Sequence, residues 1–504
     1  MNPYWNVLVS LYYKEPYLPL LKVLSEKNVH FYSTGGTASF LRQYSQYVFD
    51  IELLTGYPSI LGGRVKTLHP KVFGGILARA DNPQDQNELK QFDIPCFDIV
   101  IVDLYPFQET VAHTQQAKEI IEKIDIGGVS LIRAAAKNFE RTIIIADPKD
   151  AALLSQLIQK GESITYEVRK KLAKKAFAIT SAYDNAIFNW FADTDLEISV
   201  PISTVYPNFL RYGENPHQKA VFYGKIEDNF TQLNGKELSY NNLLDIAHAI
   251  QLIDEFQENE ATCAIIKHNN PCGIATRANI ELAWQSALSC DPLSAFGGVV
   301  VCNKQINKET ASQMDKVFFE ILIAPDFEPQ ALHILSAKKN RILLQRKLFS
   351  YSRVEYRSVL NGLLVQQKDL QLYQDFRVVS VRDLPEYLKN DVVFGLKAVK
   401  HLKSNAIAIV KNEQLIGSGT GQTSRIDALK QAIHKLKVMG FDTKDAVLVS
   451  DAFFPFSDNV EMAHQAGIEY FVQPGGSMRD QESIDYCNKN NLCMIFTNMR
   501  HFKH

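Results

Sequence analysis

Little in this chain of 504 residues points to a membrane, a nucleic acid or a disulfide framework. No apolar run is long enough to span a bilayer, and the start, MNPYWNVLVSLYYKEP, lacks the basic segment and longer apolar core of a secretory signal. No membrane partner is expected. Neither sign of charge is in excess: 54 Lys and Arg against 56 Asp and Glu leave a net charge of -2, which gives a nucleic-acid partner no footing. The seven cysteines, at 96, 263, 272, 290, 302, 487 and 493, make no CxxC and no paired set. Reduced thiols in a cytoplasmic protein are the simplest expectation. What is present is a globular composition, 46% hydrophobic and 22% charged, in a chain too long for one core. Two or three domains are expected.

From residue 6 to about 192 strands and helices alternate. NVLVSL, VHFYST, DIVIVDLYPF and TIIIA read as strands, PYLPLLKVLSEKN, GTASFLRQY and VSLIRAAAKN as helices, and a long helix is expected from about 164 to 191. Such alternation predicts a mostly parallel α/β sheet. DTDLEISVPISTVYPN, residues 193 to 208, has proline, short polar residues and no helical period, so it is read as the domain boundary. Beyond it the alternation resumes twice, through CAIIKH and GGVVVC, then through SNAIAIV, AVLVSDAF and YFVQPG. The two halves each carry strand, turn, helix and strand, which hints at a duplicated unit.

Several motifs carry chemistry. In AIIKHNNPCGIA, residues 264 to 275, Ala264-Ile265-Ile266 reads as a buried strand, and Asn269-Asn270-Pro271 with Gly273 as the turn ending it. Lys267-His268 then lies at a strand's carboxyl end, where open α/β sheets place ligands. Pro271-Cys272 begins the Pro-Cys-x-x-Cys element of zinc deaminases, but the second cysteine position holds Ala275 and no His-x-Glu precedes it; no zinc is expected. GSGTGQTSR, 417 to 425, predicts a close approach of backbone to a ligand and a helix starting near Ser424, with Arg425 placed to grip an anion. SDAFFPFSDN, 450 to 459, sets Asp451 and Asp458 at a strand end, and the terminus TNMRHFKH is basic and aromatic. STGGTA at 33 to 38, LGGRVKTLHP at 61 to 70 and DIGGVSLIRAAAKN at 125 to 138 together predict a nucleotide-phosphate pocket in the first region.

Taken in order, these segments resemble the bifunctional purine-biosynthesis family that joins phosphoribosylaminoimidazolecarboxamide (AICAR) formyltransferase to IMP cyclohydrolase. STGGTA, GRVKTLHP, LYPF and IDIGGVSLIRAAAKN are similar to the cyclohydrolase; RYGENPHQ, KHNNPCG, DPLSAFGG, IAP, KSNAIAIV, GQTSRIDA, SDAFFPFSDN and TNMRHFKH are similar to the transformylase. The resemblance implies an α/β chain with a methylglyoxal-synthase-like domain over 1–195. A duplicated cytidine-deaminase-like transformylase region would follow over 205–504. It also implies a homodimer, 10-formyltetrahydrofolate as cosubstrate, AICAR, formyl-AICAR and IMP as ligands, and a potassium ion known in some members.

By this resemblance His268 handles the proton of formyl transfer while Lys267 and Asn405 stabilise developing charge. Arg211, Tyr212, Arg425 and Arg500 bind AICAR. Phe296, Gly297, Phe453, Pro455, Phe456, Asp458 and His504 fall on further site positions, and Glu320 on a folate-side contact where some relatives carry aspartate. For ring closure Lys66, Tyr105, Asp125 and Lys137 move protons and polarise the carbonyl. Lys14, Arg64, Thr67 and the loop Ser33, Thr34, Gly35, Gly36, Thr37 hold phosphate and sugar, with Asp103, Gly127 and Gly128 completing the nucleotide site.

Three positions depart from the family pattern. LYYKEP replaces the usual SDKTG, keeping only Lys14; Asp103 replaces an asparagine; Gly62 replaces an aspartate. An ionised Asp103 cannot donate as an amide does. The expectation is retained cyclohydrolase activity with weakened nucleotide binding, the alternative being its impairment or loss. A zinc nucleotide deaminase and a non-catalytic nucleotide-binding regulator are the rival readings; the missing cysteine pair speaks against the first, and Lys267, His268 and Asn405 against the second.

Overall fold

A computed structural model describes residues 4–192, 207–257, 260–347 and 352–504. The chain divides into two compact units, Met1–Pro207 and Asn208–His504. The boundary read at 193 to 208 lies almost entirely outside the described residues. Among the described residues no helix is long and apolar enough to cross a membrane.

The first unit is built on β1 (Trp5–Ser10), β2 (Val29–Ser33), β3 (Val48–Asp50), β4 (Ile99–Val102) and β5 (Ile143–Ile145). They form one sheet in the order β3-β2-β1-β4-β5, with every pair parallel. The apolar runs IVIV and III are buried along their whole length, as strands covered on both faces must be. Helix Gly127–Lys137 turns Leu131, Ile132 and Ala135 inward at helical spacing and packs against helix Tyr166–Phe191. Because β1 is central and the chain crosses from the β2 side to the β4 side, the loops after β1 and β4 diverge at the carboxyl edge. That is where such sheets open a crevice.

The second unit carries β6 (Pro207–Leu210), β7 (Ala220–Tyr223), β8 (Phe230–Asn234), β9 (Ala261–Lys267), β10 (Asn270–Arg277), β11 (Val299–Cys302), β12 (Ile321–Ala324) and β13 (Ile342–Arg346). It continues with β14 (Val354–Val359), β15 (Gly362–Gln367), β16 (Arg377–Val378), β17 (Ile407–Val410), β18 (Leu415–Gly419), β19 (Val447–Ser450), β20 (Tyr470–Gln473) and β21 (Cys493–Phe496). Two six-stranded sheets run β10-β9-β11-β12-β13-β8 and β18-β17-β19-β20-β21-β16. Their pairing senses match strand for strand: an antiparallel hairpin, an antiparallel step, two parallel steps and an antiparallel edge. The topology is thus repeated within the unit. Alternate residues of β9 divide between two cores, Ala264 and Ile266 facing one that also holds Ala408 and Val410 of the other sheet, Cys263 and Ile265 facing the other way. One apolar layer is therefore shared by both sheets.

One expectation is corrected. The turn after β9 is His268-Asn269, both with positive φ (50° and 61°), while Asn270, Pro271 and Gly273 belong to β10. Histidine and asparagine tolerate this left-handed region, and two such residues close a hairpin whose twist suits its strands. Gly417 and Gly419 of GSGTG approach a helix, while Gly421 has open space around it. A Cβ on Gly419 would sit 1.8 Å from the Ala428 carbonyl oxygen, and one on Gly417 2.7 Å from that of Ala432. Helix Arg425–Val438 begins after its Ser424 cap, as the sequence predicts. Gly419→Ala is expected to cost roughly 1–3 kcal/mol or more through overpacking against backbone, read as a lower urea midpoint for unfolding of the second unit.

Candidate functional site

In the second unit, Lys267 ends β9 and donates from Nζ to the Phe296 carbonyl at 2.8 Å. Gly297, at φ +69°, makes room: a Cβ there would lie 3.2 Å from Lys267 Nζ. The hairpin tip is held from the preceding helix, where Asp245 accepts the Asn269 backbone N–H at 2.7 Å. The repeated sheet uses the same device, Asp391 accepting from both Asn412 and Glu413 in its own positive-φ turn. Burial pushes the Asp245 carboxyl upward, partly offset by that N–H and by the nearby His268 and Lys267 charges. His268 itself is exposed in the single chain.

The hairpin is tied to Asn405, since Asn270 Oδ1 accepts from the Lys403 backbone N–H at 3.2 Å. Asn405 donates from Nδ2 to the Gln422 carbonyl at 2.9 Å, and its Oδ1 accepts from Arg425 Nη2 at 2.9 Å. Arg425, read as an anion grip, is buried with its other nitrogen paired to Asp451 and donating to Ser450 Oγ at 2.7 Å. The hairpin that carries Lys267 and His268 is thus joined through Asn270 to the segment that leads to Asn405, and Arg425 meets Asn405 directly.

The remaining transformylase positions lie in exposed segments. Phe296 is 63% exposed and packs against Phe318 in a tilted pair, 5.0 Å between centroids. Phe453 and Phe456 are exposed, Phe456 beneath the Arg479 guanidinium at 4.8 Å, while Pro455 is half-buried. Asp458 begins helix Asp458–Gln465 and accepts from Asn459 Nδ2 at 2.8 Å. Glu320 is ion-paired with Lys236 at 2.6 Å. Arg211 lies over the Tyr212 ring at 4.7 Å and Arg500 over Phe502 at 4.3 Å; His504 is exposed.

In the first unit, Asp103 follows β4 and its carboxylate accepts from the backbone N–H of Tyr12 and, at 2.8 Å, of Tyr13. The two departures from the family pattern are therefore one feature: a carboxylate with two accepting oxygens clasps the LYYKEP loop, where an amide offers one acceptor. Burial lifts Asp103 to about 6, partly offset by those two N–H groups and by Lys14. Asp125 accepts from Gly128 N–H at 2.6 Å and Tyr105 N–H at 3.4 Å, and Tyr183 OH caps the Asp125 N–H at 2.9 Å. Burial raises Asp125 too, opposed by those N–H groups and the Lys66 charge. Tyr105 is raised by burial, then by Asp125. Gly128 is needed there, because a Cβ would lie 2.6 Å from the Asp125 carboxylate; Gly127 lies against Thr67.

Ser33 and Thr37 are buried in framework bonds to the Val9 and Leu11 carbonyls at 2.7 and 3.0 Å, beside buried Thr34. Gly35 and Gly36 have open space around them. Lys14 Nζ donates to the Tyr12 carbonyl, and Arg64 is ion-paired with Glu122. Gly62, at φ +67°, occupies a left-handed turn position that glycine adopts without steric cost. Lys137 is the exception. It ends a helix whose first residue, Gly127, borders Asp125, so it lies about 15 Å away along the axis. It lines an apolar groove with Arg133, Phe139, Lys170 and Phe177.

A family model described as AICARFT/IMPCHase bienzyme matches residues 135–435, and one described as MGS-like domain matches 17–130. A Bacteroides thetaiotaomicron protein named bifunctional purine biosynthesis protein PurH is 51% identical over 503 residues, covering 99% of this chain and 98% of its own length. Proteins of the same name from Caldicellulosiruptor bescii and Aquifex aeolicus are 46% and 44% identical, over 99% of this chain and 99% and 100% of theirs. The chain belongs to the AICARFT/IMPCHase bienzyme family.

Within this bienzyme several site-shaping residues carried no sequence signal. Tyr183, fifty-eight residues from Asp125, reaches it from the long helix, and Lys123 lies over the Tyr12 and Tyr105 rings at 5.2 and 5.9 Å. In the transformylase half, the terminal tail is anchored by His501, which meets Asp369 at 2.6 Å and the Leu372 carbonyl at 2.9 Å. Behind Asn405, Glu255 accepts from Lys400 at 2.9 Å and from His401 Nε2 at 3.2 Å. Burial holds His401 down at about 4, so that contact is a neutral-ring hydrogen bond at pH 7. Burial alone would raise Glu255, but His401 and Lys400 outweigh it and hold it at about 2.

A depressed carboxyl adds stability that is full above its unfolded value near 4.5 and is lost as pH falls through about 2. Glu255→Gln is therefore expected to lower stability at pH 7 by about 2–3 kcal/mol. The gap to the unsubstituted chain should close as pH falls from about 4.5 to about 2, read from urea midpoints across that range.

Proposed function

We propose that the second unit transfers the formyl group of 10-formyltetrahydrofolate to AICAR, and that the first unit closes formyl-AICAR to IMP with loss of water. The observation that carries this reading is the alignment of 99% of the chain, both units included, at 51% identity with a bifunctional PurH protein.

Formyl transfer begins when the weakly nucleophilic AICAR amine attacks the formyl carbon. The carbonyl becomes an oxyanion as the new C–N bond forms, and the amine must lose a proton before the C–N bond to folate breaks. His268, on a hairpin tip held by Asp245, takes that proton and passes it to the departing folate nitrogen. Lys267 and the Asn405 amide offset the oxyanion's charge. Arg211, Tyr212, Arg500 and the exposed rings of Phe296, Phe453 and Phe456 supply the phosphate and planar contacts. Those rings, left to water in one chain, suit a homodimer in which a second copy completes the site. A potassium ion would need mainly neutral oxygens, since among the described residues no three His, Cys, Asp or Glu side chains converge. The buried, unpartnered Oδ2 of Asp451 would hold it, and the ion would supply local charge balance.

Ring closure joins groups of one molecule, so the protein enforces conformation and moves protons. Lys66, Tyr105 and Asp125, the last raised toward neutrality by burial, are the groups grouped for that work. The clasped Tyr12–Tyr13 loop supports retained ring closure. A cytoplasmic location goes with this reading.

Supplied with AICAR and 10-formyltetrahydrofolate, the purified chain is expected to release tetrahydrofolate and then IMP; neither product appearing would end the proposal. His268→Ala should lower formyl transfer by about 10²–10⁴-fold while IMP formation from added formyl-AICAR stays unchanged. Asp103→Asn should do the converse, lowering ring closure about tenfold through a loosened loop, an effect of about 1.4 kcal/mol on one lost charged hydrogen bond, with formyl transfer intact.

A further inference from the structure

The ring-closing groups of the first unit have a neighbour that neither the motifs nor the family resemblance marks: Lys123, two residues before Asp125. Its backbone is fixed, because Tyr183 OH donates to the Lys123 carbonyl at 2.7 Å and accepts the Asp125 N–H at 2.9 Å. Its ammonium lies over the Tyr12 ring at 5.2 Å and over the Tyr105 ring at 5.9 Å. Those two rings meet edge to face, 5.7 Å between centroids. Among the described residues Lys123 has no ion-pair partner, and the adjacent Glu122 is turned to Arg64. A half-buried cation is thus seated between two rings, its charge matched by no carboxylate.

The seat depends on the loop that departs from the family pattern. Tyr12 belongs to LYYKEP, and the Asp103 carboxylate holds Tyr12 and Tyr13 by their backbone N–H groups. Tyr13 itself is turned to Glu109, which accepts from its hydroxyl at 2.5 Å. A cation facing an aromatic ring is attracted weakly while the phenol is neutral, and more strongly once it carries negative charge. Lys123 therefore favours loss of the Tyr105 proton. The other groups that face Tyr105 oppose that loss: burial raises the phenol, and Asp125, Tyr12 and Asp103 raise it further. The remaining cations are engaged elsewhere, Lys14 with the Tyr12 carbonyl and Asp103, Lys66 with Asp125, and Arg64 with Glu122.

We infer that Lys123, seated between Tyr12 and Tyr105, is a positioning residue of ring closure that acts through the Tyr105 phenol, holding a positive charge where the phenolate forms. The inference rests on the ring-closure reading above. As the carboxamide nitrogen of formyl-AICAR attacks the formyl carbon, the carbonyl π bond opens and its oxygen takes the phenol proton. The phenolate left behind is stabilised by Lys123 and regains a proton from the attacking nitrogen. Loss of the new hydroxyl with the proton of the former formamide nitrogen gives water and IMP, and the protein ends as it began.

The test replaces Tyr105 by 3-fluorotyrosine in the full chain and reads the phenol titration by fluorine NMR, beside steady-state ring closure from added formyl-AICAR. Lys123→Met should raise the titration midpoint by about 0.5–1 pH unit. In the chain with its natural Tyr105, the same change should lower kcat about three- to tenfold with KM within about twofold. Lys123→Arg should restore both. In a Tyr105→Phe background Lys123→Met should lower kcat no further, because its effect runs through the missing hydroxyl. An unmoved midpoint, a raised KM with kcat kept, or an additive loss in the Tyr105→Phe background would each overturn the inference, as would Tyr105→Phe closing the ring at full rate. Should Lys123→Met not fold, Lys123→Gln decides. If the unsubstituted chain closes no ring, the functional reading itself fails, a result distinct from the titration, which still shows whether Lys123 holds the phenol down.

Discussion

Ala264 and Ile266 of one sheet and Ala406, Ala408 and Val410 of the other face a common apolar layer, and the placement of the transformylase groups follows from it. Burying that layer brings the β9–β10 hairpin beside the segment that leads into β17. Only then does Asn270, at the foot of the hairpin, meet the Lys403 N–H two residues before Asn405. Directional polar bonds refine this arrangement, but they act over about 3 Å and cannot bring distant segments together. The non-directional burial of apolar surface does that first.

The internal repeat shows how one scaffold has been used in two ways. Both hairpins adopt left-handed turn residues, and both are held by an aspartate from the preceding helix. In one the tip residues are His268 and Asn269; in the other they are Asn412 and Glu413, whose carbonyls face Arg277. The same backbone device thus presents a proton carrier once and serves internal packing once. Gly273, like Gly419, lies against a helix carbonyl, with a would-be Cβ 2.0 Å from Ala287 oxygen. The repeat extends to how helix and strand approach.

The first unit makes a related point with charge. Asp103 and the bulky LYYKEP loop, each a departure when viewed alone, are joined by two backbone hydrogen bonds from Tyr12 and Tyr13. They are ninety residues apart, so their complementarity is invisible along the chain and plain across the β1–β4 crevice.

Strands such as IVIV and III and helix starts such as Ser424 were legible in the amino-acid order, because apolar period and capping chemistry act between near neighbours. The family, and the chemistry that comes with it, was legible too, because its motifs are contiguous. The turn at His268-Asn269 was masked by the stronger turn residues Asn270, Pro271 and Gly273, which pairing across the hairpin drew into a strand. The contacts of Arg425 with Asp451 and Asn405, the clasp of Asp103 and the reach of Tyr183 were decided only in three dimensions. Each joins residues twenty to ninety positions apart, and a hydrogen bond exists only once packing has brought its two ends within reach.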